Sequence, residues 1–104
     1  MTIPTLEPTS RTLVRPRAGI LAREIGGEMV LLDVEEATYY GLNEVGTRVW
    51  SLFVEGATLS EIEERLLVEF EVSREILEAD LGGLLRDLAE HGLIDVILPH
   101  SSAG

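Results

Sequence analysis

Cysteine and lysine are both missing from the 104 residues. Without cysteine there is no disulfide framework, no thiolate nucleophile and no thiolate-ligated metal site. Without lysine there is no Schiff-base amine and no P-loop, and no glycine-rich phosphate cradle follows a strand pattern. Histidine is nearly as scarce. His91 falls at the end of a helical segment, where a partly positive imidazole suits the helix dipole, and His100 lies in the C-terminal tail. Neither has metal-ligand spacing. No apolar run approaches the ~20 residues that cross a bilayer, and the opening MTIPTLEPTSR lacks the charged start and apolar block of a signal peptide. These absences lead us to expect a cytoplasmic, non-enzymatic chain with no catalytic residue, no metal, no cofactor and no membrane partner.

Positive charge is also in short supply. Nineteen acids face eight bases, all of them arginine, for a formal net charge of −11. Nucleic-acid binders draw much of their affinity from neutralising phosphates, so no nucleic-acid partner is expected. Acidity of this kind keeps a surface solvated, and it can also steer a cationic partner. The length fits one domain with a modest core, 45% of residues being hydrophobic.

Three of the four prolines, Pro4, Pro8 and Pro16, fall in the first eighteen residues. No helix can run through them, and we read a flexible arm over 1–18 with one short extended piece at TLVR. A single domain then spans 19–97, followed by a disordered tail over 98–104. Within the domain, GILAREIGGEMVLLDVEEATYYGL holds apolar runs around Gly26-Gly27, a strong hairpin signal because glycine reaches positive φ freely. Three antiparallel strands are predicted near 20–25, 29–34 and 37–42, with Glu35 and Glu36 in the second turn.

After Asn43 the hydrophobic period changes from two to about 3.6. Asn43 is a good helix N-cap, and Val45, Val49, Leu52 and Phe53 fall on one face with Trp50 beside them; Gly56 ends this helix. Thr58 to Glu61 matches a capping box and opens a second helix, with Leu59, Ile62, Leu66 and Phe70 inward and Glu61, Glu63, Glu64 and Arg65 toward water. A third helix runs from Ser73 to about His91, with Gly92 as its stop. Leu77, Leu81, Leu84 and Leu88 are its predicted core stripe. Gly82-Gly83 lies inside this helix at a cost on the order of 1 kcal/mol per glycine. A close backbone, a bend or something lying along the surface would account for it. Asp80, at the margin of the stripe, is either an ordinary boundary aspartate or an acceptor for donors of a bound segment. The segment IDVIL closes the pattern as a short strand. The fold class is therefore α+β and winged-helix-like, with a three-stranded antiparallel sheet followed by three helices, and one sheet edge must stay open or covered.

The ordered pieces Tyr40-x-Leu42-Asn43, Trp50, Thr58-x-x-Glu61-Ile62, and the run from Asp80 through Leu84, Leu85 and Leu88 to Gly92-Leu93 resemble the PqqD-like domains, also called RiPP recognition elements. The likeness covers roughly residues 20 to 95. It implies a non-catalytic adaptor that binds the leader segment of a ribosomally synthesised precursor peptide and presents it to a leader peptidase (a cysteine protease) or other modification enzyme. A chain of this length resembles the stand-alone leader-binding proteins of lasso-peptide pathways, and other stand-alone relatives serve radical-SAM pathways.

In this family the leader adds as a strand to the free edge of the third strand, over a cleft walled by the third helix. Carried over, the resemblance assigns peptide binding to Ala37, Thr38, Tyr39, Tyr40, Gly41 and Leu42, and to Asp80, Gly83, Leu84 and Asp87. Leu42 is expected in the core, either tyrosine could line the cleft, and Leu85 is expected on the opposite, core flank. Two other readings share the element order: a winged-helix DNA-binding regulator, which the charge opposes, and a scaffold domain that binds only a partner enzyme.

Overall fold

A computed structural model describes residues 11–97. In chain order the elements are β1 (Leu13–Pro16), β2 (Ile20–Ile25), β3 (Glu28–Asp33), β4 (Thr38–Leu42), α1 (Glu44–Val54), α2 (Leu59–Glu69), α3 (Arg74–Glu90) and β5 (Ile94–Ile97). β2, β3 and β4 form an antiparallel three-stranded sheet in that order, and β1 pairs with β5 in a separate two-stranded one. This is the expected α+β architecture, with the β1–β5 ribbon added. Gly26 and Gly27 turn the first hairpin with φ of 62° and 85°, the left-handed values a two-residue hairpin turn demands.

The second turn changes one boundary. Asp33 accepts a hydrogen bond from the Glu36 amide through Oδ1 at 3.1 Å, and Ala37 follows with φ of 54°. Ala37 thus belongs to the turn, and the strand expected from residue 37 starts at Thr38. The arm drawn over 1–18 is also corrected where it is described. Val14 is buried, the Leu59 amide bonds the Thr12 carbonyl at 3.0 Å, and Val14 pairs with Val96. The extended piece expected at TLVR is β1; its partner strand comes some eighty residues later, so nothing local showed that it would be tied into the domain. Residues 1–10 and the tail expected over 98–104 lie outside the described residues.

The helix starts are those the capping residues announce. Asn43 Oδ1 accepts from the Gly46 amide at 2.8 Å. Thr58 and Glu61 exchange both capping-box bonds, and Ser73 Oγ accepts from the Ile76 amide. Each satisfies an amide with no partner inside its helix. Gly92, with φ of 69°, stops α3.

The core gathers Leu31 and Leu42 of the sheet, Val49, Trp50, Leu52 and Phe53 of α1, Leu59, Ile62 and Leu66 of α2, and Leu77, Leu81, Leu85 and Leu88 of α3. The α3 stripe therefore passes through Leu85 where Leu84 was expected, and Leu84 is only partly buried. Both leucines fit helical spacing from Leu81, and docking against α2 and β5 selects between them. Glu63 is a second correction: expected in water, it is 2% exposed. Its carboxylate takes a charge-assisted bond from Arg74 Nη1 of the next helix, which is what lets a charge sit there at all. Burial and a hydrogen bond with Glu78 raise the Glu63 pKa above its ordinary value, while Arg74 pulls it down.

Thr47 carries a role the sequence did not announce. Its buried hydroxyl accepts from the Met29 amide at 2.8 Å and donates to the Leu42 carbonyl at 3.4 Å. Met29 and Leu42 are register partners on β3 and β4, so one α1 side chain clasps the end of the hairpin to the helix that follows. The near-isosteric Thr47→Val removes both bonds and strands a backbone amide. Urea denaturation should register a loss of about 1–3 kcal/mol.

Candidate functional site: an open strand edge beside an acidic-rimmed cleft

Among the described residues, β4 has a neighbour on one side only. Which of its amides face the open side follows from two bonds on β3. The Met29 amide turns toward the β4 side, where Thr47 receives it. The Val34 amide, five residues on, turns the other way to the Gly19 carbonyl before β2. Backbone groups alternate along a strand, so Leu31 and its partner Tyr40 face each other through the ladder. Tyr39 and Gly41 are left holding their N–H and C=O groups toward the open edge, the template that a further strand pairs with.

Side chains alternate independently of those backbone groups. Tyr40 and Leu42 point into the protein, and Tyr39, 79% exposed, points out of the opposite face. The Tyr40 hydroxyl reaches α3, donating to Asp87 Oδ2 at 3.4 Å, and its ring meets His91 edge-on at 5.2 Å between centroids. His91 is held in turn by a 2.7 Å contact between Nδ1 and the Asp87 carbonyl. Burial first, then the Asp87 carboxylate, pushes the Tyr40 phenol above its ordinary value, so it is a neutral donor at physiological pH. This cluster ties β4 to the C-terminal half of α3.

Between α1 and α3, next to the end of β4, lies a cleft of about 450 Å³. Val45 and Val49 form one wall, Leu81 and Leu84 the other, and Asn43 stands at the corner where β4 turns into α1. Asp80, Gly83 and Asp87 line it from α3. A methyl group built on Gly83 would meet nothing within 4 Å. Close packing by a neighbouring backbone is therefore not what Gly83 is for; its missing side chain leaves the helix surface open to the cleft.

The structure thus brings Asp80, Gly83, Leu84 and Asp87 together in one depression and joins Tyr40 to it through Asp87. It puts Tyr39 and Gly41 at the edge by backbone alone. Leu42 is core at 4% exposed, Thr38 begins the strand, and Ala37 stands outside it in the turn. Asn43, Val45 and Val49 were missed as cleft residues, since a cap and two apolar helix positions look like ordinary fold-making residues in one dimension.

The family pattern described as coenzyme PQQ synthesis protein D (PqqD) matches residues 28–94, from the start of β3 to the start of β5. The chain belongs to the PqqD family. Two solved structures are similar to this PqqD-family chain. TbiB1 in complex with the TbiA(beta) leader peptide is 37% identical, covering 78% of this chain and 94% of that one with a TM-score of 0.74. A lasso peptide synthetase B1 complexed with the leader peptide is 28% identical, covering 79% and 96%, also at 0.74. No curated protein matches the chain. Among the described residues no helix is long and apolar enough to cross a membrane, and no cluster of three or more acidic or histidine side chains could hold a metal ion.

Proposed function

We propose that this chain is a leader-binding adaptor of a lasso-peptide pathway, non-catalytic and cytoplasmic, which presents a precursor's leader segment to a leader peptidase (a cysteine protease) or other modification enzyme. The observation that carries this reading is the placement of the open β4 edge beside the α1–α3 cleft. Strand addition uses backbone bonds from Tyr39 and Gly41 for sequence-independent affinity, and side-chain pockets for selectivity. Ordering a disordered leader costs several kcal/mol, and apolar side chains buried in the cleft must exceed that. The two similar structures, each a complex with a leader peptide, support the reading.

A synthetic leader from the precursor that the chain serves should bind with a dissociation constant of about 10 μM or tighter, roughly 7 kcal/mol, by isothermal titration calorimetry. Binding weaker than about 1 mM would overturn the proposal.

A further inference from the structure

We propose that the peptide this cleft selects carries a basic residue two positions before, and another two positions after, an apolar anchor. The inference rests on the leader-binding reading and deepens it by naming the chemistry of the segment bound. Three observations lead to it. The cleft has apolar walls, with Leu84 partly buried on the α3 side. It is rimmed on α3 by two carboxylates, Asp80 and Asp87. Neither is neutralised from within: among the described residues, Arg48 pairs with Glu69, Arg74 with Glu63 and Glu64, and Arg17 with Asp95. Asp80 forms no ion pair or hydrogen bond there, and Asp87 receives only the long Tyr40 contact on Oδ2. Arg86, next in sequence to Asp87, does not line the cleft.

The spacing suits an extended chain. Along the helix axis, Asp80 lies ~6 Å before Leu84 and Asp87 ~4.5 Å after it. On a strand laid along β4, alternate residues share a face at intervals of ~6.6 Å. In the proposed complex that strand is set along α3, where a residue over Leu84 has its same-face neighbours opposite the two carboxylates, within the reach of arginine or lysine side chains. The gap left by Gly83 lets the anchor approach the helix surface. The chain's net charge of −11 draws in a cationic segment and repels an acidic one.

The test is an mRNA-display selection of random decapeptides on the full chain, beside the Asp80→Asn, Asp87→Asn double variant. Both positions are exposed, and asparagine can still accept the Tyr40 hydroxyl bond, so the fold is expected to persist; thermal melts check this. The wild-type selection should enrich the basic-x-apolar-x-basic pattern, and the variant selection should lose the basic positions while keeping the apolar one. An enriched peptide should outbind its twin with glutamine at both basic positions by roughly fivefold at low salt, and the margin should close near 0.5 M salt as screening sets in. Enriched peptides with neutral or acidic flanks, or a preference unchanged in the variant, overturn this proposal and leave leader binding standing. No enriched peptide at all overturns the leader-binding reading and this inference with it.

Discussion

Tyr39→Pro is expected to lower leader affinity at least tenfold, about 1.4 kcal/mol, in a protein that stays folded. Tyr40→Pro, one residue on, is expected to lose fold stability instead. The difference comes from the alternation of backbone groups along β4. At Tyr39 the amide faces the open edge, so proline deletes a donor the leader would use and places a ring where the incoming strand must lie. Its side chain is 79% exposed and contributes little to the core. At Tyr40 the amide faces Leu31 across the ladder, and the side chain contacts Asp87 and His91. Proline there removes a ladder bond and both contacts, for about 1–3 kcal/mol. Calorimetric titration and urea denaturation of the two variants, with Tyr39→Ala and Tyr40→Ala as side-chain controls, separate these effects. Unchanged leader affinity in Tyr39→Pro would mean that the β4 edge is not where the leader binds.

A second pair of neighbours divides stability from recognition on α3. Leu85 is completely buried and Leu84 partly so, at the wall of the cleft. Leu85→Ala removes a core side chain and leaves a cavity, which costs about 3 kcal/mol in comparable leucine truncations. Against a total stability of about 5–15 kcal/mol for a domain of this size, that is a large fraction, visible as a lower urea midpoint at unchanged slope. Leu84→Ala is expected to cost under about 1.5 kcal/mol of stability, because truncation there enlarges a space already open to water. It should weaken leader binding instead, since the apolar wall is what an anchor side chain packs on. A Leu84→Ala protein that binds leader as well as the wild type would place the anchor elsewhere.

Both pairs mark where one-dimensional reading reached its end. The shift from a two-residue to a 3.6-residue period after Asn43 located the change from sheet to helices, and Asn43, Thr58 and Ser73 named the helix starts because capping is settled by residues three apart. The flank carrying Asp80, Gly83, Leu84 and Asp87 was legible for the same reason: helical spacing puts those positions on one side. Thr47 and Glu63 were not legible. A threonine one turn into a helix carries no sign that its hydroxyl will clasp a hairpin eighteen residues away. A glutamate in a charged run likewise gives no sign that it will be buried beneath an arginine of the next helix.

By itself, then, the sequence determined the class of the molecule. The absence of cysteine and lysine, the acidic balance, the Gly26-Gly27 hairpin and the three capped helices leave an α+β domain with a sheet edge that must stay open or be covered. The hairpin and the caps are each settled by residues within a few positions of one another. Only the tertiary structure decided which face is which. Alternation says that Tyr39 and Tyr40 point opposite ways, and helical periodicity says that Leu84 and Leu85 lie about 100° apart. Neither says which member of the pair meets the rest of the protein. That choice is made when the sheet packs on α1 and α3 packs on α2 and β5, and it turns Tyr40 and Leu85 inward. Tyr39 keeps its backbone at the open edge, and Leu84 is left at the wall of the cleft.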